Sequence, residues 1–160
     1  MIPHAADTPA EKESIMNPAT TEKLEASAPA LRSISLPPIG AAWHGGLYAG
    51  IARGADGAPD YHLILGPEAP KALTWDAACQ WAVALDFAGH RDFTLPARRE
   101  QSLLFAHLRE EFQETWYWSD EPYAGDEAYA WVQVFGFGTQ YGYRRKSDHY
   151  RARAVRRVPL

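Results

Sequence analysis

The chain changes its hydrophobic rhythm three times. Its first quarter has almost none. From Met1 to about Pro38 the residues are mostly Ala, Pro, Glu, Ser and Thr, with no Phe, Trp or Tyr. A segment of this kind buries too little apolar surface to offset its ordering entropy, so residues 1–38 are expected to form an arm. A domain is expected over 39–160. Within it, Leu47, Ala49 and Ile51 alternate with smaller residues, and Tyr61-His62-Leu63-Ile64-Leu65 forms a second apolar run. Between them lies the turn-forming stretch Gly54-Ala55-Asp56-Gly57-Ala58-Pro59-Asp60. Residues 46–65 therefore predict a β-hairpin.

The period then lengthens. Ala77, Ala78, Trp81, Ala82 and Leu85 recur at helical spacing behind Thr74, a good N-cap, and Gly89 is a candidate C-cap. A helix is predicted over 75–88. A second is predicted over 97–109, with Leu103, Leu104, His107 and Leu108 on one stripe. Beyond Thr115 the period becomes two. Ala130, Val132 and Val134 face one way and suit a core. Trp131, Gln133, Phe135 and Phe137 face the other way, and Gln133, Phe135 and Phe137 are expected toward solvent or a ligand. The last strand sets Arg151, Arg153 and Val155 against Ala152, Ala154 and Arg156, and its two alanines predict close packing under a helix or a large aromatic. Together these elements predict an α+β domain, two helices on a twisted antiparallel sheet, behind an extended N-terminal arm.

Composition narrows the function classes. With 46% hydrophobic and 22% charged residues the chain is ordinary for a globular protein. A formal net charge of -4 gives no global attraction to nucleic acid or anionic membrane. The charge is uneven: seven acids and no base lie in Glu110–Glu127, and seven Arg or Lys face one acid in Tyr141–Leu160. These blocks are expected to pair with each other across the domain. The single Cys79 excludes a disulfide framework and a cysteine-rich metal site. No basic-then-apolar leader opens the chain, and no apolar run approaches a membrane span.

Four motifs, in order, carry a family resemblance. Asp92-Phe93-Thr94-Leu95-Pro96-Ala97-Arg98-Arg99-Glu100 resembles the W-R-L-P-T-x-x-E helix start of the collagen-like-protein C-terminal domain, called Lcl C. Tyr117-Trp118-Ser119 resembles its Y-W-S-S. Ala130-Trp131-Val132-Gln133-Val134-Phe135, with Lys146 beyond, resembles its A-W-x-V-x-F hairpin, and Arg151 to Arg156 resembles its closing x-V-R-C-V-R. The resemblance covers roughly 45–158. It implies a C-type-lectin-like fold, similar to short versions carried by bacteriophages and prophages. In related phage domains this C-terminal segment is sometimes diversified by retroelements, and residues 123–149 are compatible with that. Two departures matter. Ala97 stands where the family has a capping Thr, so Glu100 is expected to lose its capping-box partner and Thr94 to cap instead. The asparagines of a lectin calcium site are also missing: Glu121-Pro122 is followed by Tyr123, and Trp118 by Ser119-Asp120. No calcium site, other metal or cofactor is expected.

Candidate ligand-contacting residues are Tyr123, Asp126, Tyr129, Gln133, Phe135, Phe137, Thr139, Gln140, Tyr141, Tyr143, Ser147 and His149. Aromatics supply rigid contact area and small polar groups supply adaptable hydrogen bonds, as in paratopes. Trp116, Trp118 and Trp131 are expected in the core. His62 is expected to be structural, and His107 a hydrogen-bonded core histidine. No nucleophile elbow or phosphate loop is present, and formylglycine-generating enzymes, which share the scaffold, need two cysteines; an enzyme is not expected. The reading that follows is a phage-encoded ligand-binding protein, an adhesin or accessory tail protein, made in the bacterial cytoplasm and associated with the virion. Its partner would be a host-surface or host protein ligand, and the arm would serve oligomerisation or virion docking. The alternative is an intracellular phage protein that binds a host protein or nucleic acid through its basic end.

Overall fold

The computed structural model describes residues 35–160. The predicted arm, 1–38, lies outside them except for its last four residues. Leu36–Leu160 forms one compact unit. It is α+β, with two helices and two antiparallel sheets. The first sheet runs β1 (Ala42–Trp43), β2 (Gly46–Ala52), β3 (Tyr61–Glu68) and β7 (Arg153–Pro159), in that spatial order. The second holds β4 (Trp116–Pro122), β5 (Tyr129–Val134) and β6 (Gln140–Arg145). Between the sheets in sequence come α1 (Trp75–Val83) and α2 (Arg98–Leu108). A parallel bridge from Tyr117 to Arg151 joins the sheets, with Trp118 N–H donating to Arg151 O at 2.9 Å.

The hairpin forms as its pattern predicts, but its parity does not hold. Register slips between Tyr48 and Gly50, and Gly50 takes φ +114°. This bulge inverts the inside and outside of β2 beyond it. Tyr48, Ala49 and Ala52 are buried, while Ile51 is 46% exposed.

Helix α1 is capped as expected, Ala77 N–H donating to Thr74 Oγ1 at 3.4 Å. It stops at Val83, five residues before the predicted end. Gly89 does not cap it. Ala88 at φ +50° and Gly89 at φ +80° form a two-residue turn, and Phe87 and His90 exchange backbone bonds of 2.9 and 3.0 Å across it. Helix α2 matches its prediction to one residue at each end.

The caps of α2 differ from the expectation. Ala97 has no oxygen to offer, yet Glu100 keeps its half of the capping box and accepts from Ala97 N–H at 2.7 Å. Thr94 does not cap; its hydroxyl accepts from Arg157 at 2.9 Å. The next orphan donor, Arg98 N–H, is satisfied from another element by Glu121 at 2.5 Å.

Two apolar clusters make the core. One gathers Leu63, Leu65, Leu104, Leu108, Phe112, Tyr117 and Phe135 between α2 and both sheets. The other packs Ala78 and Ala82 of α1 with Phe93, Leu95, Trp118, Val132, Ala152 and Ala154. The alanines of the last strand thus lie against large aromatics, as their size predicts. The second sheet is covered on both faces, so β5 is buried on both. This corrects the two-sided reading of 130–137: Ala130, Val132 and Val134 are core, and so are Gln133 and Phe135. Of the three tryptophans expected inside, only Trp118 is fully buried; Trp116 and Trp131 are half-buried.

The basic end does not mainly pair with the acidic block. Arg151 bonds Glu68 at 3.3 Å, Arg156 bonds Asp92 at 2.6 Å and Arg157 bonds Glu100 at 2.6 Å. From the acidic block only Asp120 takes part, 3.9 Å from Arg157. The acids on β3, before α2 and within α2 reach β7 first, because β7 is paired to β3 and lies beside the α2 start.

Candidate binding site at the open end of the second sheet

The twelve residues named from sequence fall into six places. Gln133 and Phe135 are inside and cannot meet a ligand. Gln133 is 0% exposed and donates to Gln101 O at 2.9 Å. Phe135 is 3% exposed and stacks on Phe112, centroids 3.8 Å apart and planes at 8°. Both point toward α2, so the face called ligand-facing from alternation is in fact a helix–sheet interface.

Tyr141 lies on the opposite face of the sheet. It sits 5.2 Å from Trp116, whose ring also stacks on Tyr150 at 5.7 Å. The Arg144 guanidinium covers Trp116 at 3.9 Å. Phe137 and Thr139 form the exposed β5–β6 turn, Phe137 at 66% exposure. Asp126 and Tyr129 shape the 123–129 loop. Asp126 Oδ1 accepts from Ala128 N–H at 2.9 Å, closing an Asx-type turn, and Tyr129 N–H donates to Asp126 O at 3.2 Å. Ser147 and His149 are exposed beyond β6.

The remaining three, Tyr123, Gln140 and Tyr143, converge. Tyr123 meets Tyr143 at 5.1 Å and Trp131 at 5.8 Å, with the rings tilted by 58° and 63°. Gly142 makes this approach possible. A Cβ there would lie 2.7 Å from Tyr123 Cδ2 and 3.0 Å from Trp131. Tyr143 is 69% exposed, so its ring is open to solvent. The neighbouring Tyr143 phenol raises the Tyr123 pKa above its ordinary value.

In the polar half of this corner Gln140 is expected from sequence, and Arg98 is not. Arg98, the first residue of α2, lays its guanidinium over Trp131 at 3.4 Å. Gln140 holds it there, accepting from Arg98 Nε at 3.2 Å and donating to Arg98 O at 2.7 Å. Gln140 is itself fixed by the buried Gln133, to which it donates at 2.8 Å. Arg98, Arg99, Ser102, Glu121 and Gln140 line a groove of about 360 Å³, which Arg98 connects to the Trp131 ring. Among the described residues the terminal nitrogens of Arg98 make no hydrogen bond. Rigid rings, a positioned guanidinium and an amide are the chemistry of recognition. The Leu95-Pro96-x-Arg98 stretch is the signal that could have found Arg98, had its distance from β5 been known.

Behind the groove lies a closed cluster. Glu100 is buried and accepts from Tyr61, from Ala97 N–H, and from Arg157 at 2.6 and 2.8 Å. Burial and this carboxylate raise the Tyr61 pKa. Asp120 beside it is pushed up to about 6, first by burial, then by the negative charges of Glu100 and Glu121, against the pull of Arg157.

His62 is buried against the Tyr48 hydroxyl at 3.2 Å, a structural place as expected. His107 is near-surface rather than core, its Nδ1 2.6 Å from Ala49 O at the β2 bulge. Among the described residues no group of three or more His, Cys, Asp or Glu is placed to hold a metal, and no helix is long and apolar enough to cross a membrane.

No curated protein matches the chain. The model of the family described as the Lcl C-terminal domain matches residues 52–156, from the end of β2 into β7, and the chain belongs to that family.

Proposed function

We propose that this chain is a non-catalytic ligand-binding protein of phage origin, an adhesin or accessory tail protein, built on a C-type-lectin-like domain. Its contact surface is the corner of Tyr123, Trp131 and Tyr143 with Arg98 and Gln140, extended by Phe137 and Thr139 at one side and by the 123–129 loop at the other. The observation that carries the reading is the open aromatic corner. Three rings are held together by Gly142, and Tyr143 exposes most of its area. The groups around them are fixed before any ligand arrives, which lowers the ordering cost of binding. The phage half of the reading rests on the resemblance to phage and prophage versions of the domain. Residues 1–38 would then serve as the docking or oligomerisation arm, which deletion and a solution mass would test.

The test is binding of the purified chain to bacterial cell-envelope fractions. Tyr143→Ala and Arg98→Ala are expected to weaken it by about tenfold or more each, as truncation of anchoring residues does. Binding that neither substitution changes would sink the assignment of this surface.

A second reading keeps a foothold in one observation. Arg144 lies over Trp116 at 3.9 Å and Lys146 over Trp75 at 4.5 Å, so cations and aromatics alternate on the opposite face. An intracellular phage protein could use that flank on a host protein or nucleic acid. Nucleic-acid binding would fall steeply with salt; contact through the aromatic corner would not.

A further inference from the structure

Strand β6 ends the second sheet. All its ladder pairing goes to β5, from Gln140↔Gln133 to Arg145↔Tyr129, and no bridge lies on its outer side among the described residues. Other borders are closed or short. β4 is bridged at Tyr117 by Arg151, β7 at Val155 by Thr94, and β1 has only two residues. An uncovered strand edge is a template for an extended chain, because its outward N–H and C=O groups have no partner except water.

The edge also carries charge. Arg144, Arg145 and Lys146 follow one another at its end, and none has an ion-pair partner among the described residues. Between Ala130 and Val132, β5 advances two residues while β6 advances three, from Arg144 to Tyr141. This bulge divides the edge into two short ladders and turns Tyr143 outward between them. Two short ladders give weak main-chain pairing, which protects against edge-to-edge aggregation. Affinity must then come from side chains, and the exposed ones on offer are the Tyr143 ring and Arg145, with Arg144 and Lys146, which lie over Trp116 and Trp75, adding only their field.

We propose that the outer edge of β6 binds an extended acidic peptide segment of a protein partner as an added strand, with Tyr143 as its anchor and Arg145 as its charge contact. This rests on the binding reading above and deepens it: the ligand is a protein main chain. The experiment uses the full chain and a probe peptide of about ten residues that alternates glutamate with valine and threonine, followed by fluorescence anisotropy. Three results are expected. The probe binds. N-methylation of alternate probe residues abolishes binding in one parity and spares it in the other, because only one side of an added strand faces β6. Arg145→Glu weakens binding by roughly fivefold, the scale of an exposed ion pair reversed.

No binding, or equal loss with both N-methylated parities, overturns the inference. So does an unchanged affinity in Arg145→Glu, or displacement of the probe by single-stranded DNA. A doubled mass in solution that the probe reverses overturns it in another way, by showing that a second copy occupies the edge. The envelope-binding test stands apart: envelope binding lost in Tyr143→Ala while the probe fails keeps the surface and removes only the strand-addition mode.

Discussion

Two residues of the same helix turn, Arg98 and Glu100, meet opposite fates. Glu100 is buried, and each oxygen is occupied by Tyr61, Arg157 or its own helix N-terminus. Arg98 is half-buried, with its Nε held by Gln140, its face on Trp131 and its terminal nitrogens without a hydrogen bond among the described residues. Both are charged, and both are fixed by neighbours distant in sequence. The difference lies in what remains over. A saturated charge can only hold the frame together, because any new partner must displace an old one. A charge fixed in place with donors unspent is prepared for something else. The same contrast separates the buried Gln133 from Gln140, which it positions.

The largest effect expected from breaking this contrast is on the saturated side. Glu100→Gln removes the charge that compensates Arg157, and losing one partner of a buried pair costs about 3–5 kcal/mol. Arg157 keeps a third of its side chain in water, so the lower end applies. A thermal melt is expected to show a fall of roughly 10 °C for a unit of this size. The double variant Glu100→Gln with Arg157→Met should recover part of the loss, since it leaves no uncompensated charge. A double variant less stable than either single would show that the pair is not the unit. Comparable in size is Phe135→Ala, which empties a ring site between Phe112, Tyr117 and α2 and is expected to cost about 3 kcal/mol in denaturant unfolding. Were Phe135 a contact residue, as alternation alone suggests, stability would barely move.

That misreading shows how far the sequence reaches. Element type was legible wherever the pattern was long: the first hairpin, α2 to one residue at each end, and the alanines of the last strand under Phe93 and Trp118. Three things were not. The bulge before Gly50 reversed the parity of β2, and nothing local distinguishes a glycine in a bulge from one in a plain strand. Gln133 reads as polar and therefore outward, but its amide is paid for by Gln101 and Gln140, both far away in the chain. The Arg98 corner depends on Glu121 capping α2 from 23 residues away, a contact made by tertiary structure alone. Of the twelve candidate residues, most on loops and turns stay at the surface, while Gln133 on β5 and Phe135 just after it are lost to the interface with α2.

On the open side the effects on stability are smaller and the effects on binding larger. Gly142→Ala forces a methyl to within 2.7 Å of Tyr123, whose ring is near the surface and can swing away. The cost is expected near the low end of overpacking, about 1 kcal/mol. Its sharper signature is a changed near-ultraviolet circular dichroism spectrum, as the Tyr123–Trp131 contact opens. Tyr143→Ala is expected to leave stability within about 0.5 kcal/mol, as surface substitutions do. A larger loss would mean that the corner is framework after all, and would erase the distinction drawn from Arg98 and Glu100.

The smallest expected effect tests the border between the two regions. Asp120 stands between the saturated Glu100–Arg157 pair and the groove acid Glu121. Burial and those two carboxylates push its pKa from 3.8 up to about 6. The folded protein therefore holds the Asp120 proton more tightly than the unfolded chain does. By linkage, the stability tied to that proton is fully present below about 3.8 and is lost as pH rises to about 6. Asp92 has the opposite sign. Its hydrogen bonds from Arg156 lower its pKa, so its contribution is lost as pH falls. The two oppose each other in any whole-protein pH curve, which makes the difference between wild type and Asp120→Asn the useful quantity. That difference is expected to change between pH 4 and 6 and to be flat above 7. More than a third of the Asp120 side chain is in water, so screening keeps the change small. A flat difference across the whole range would place Asp120 with the solvated groove. A change as large as that of Glu100→Gln would place it inside the closed cluster.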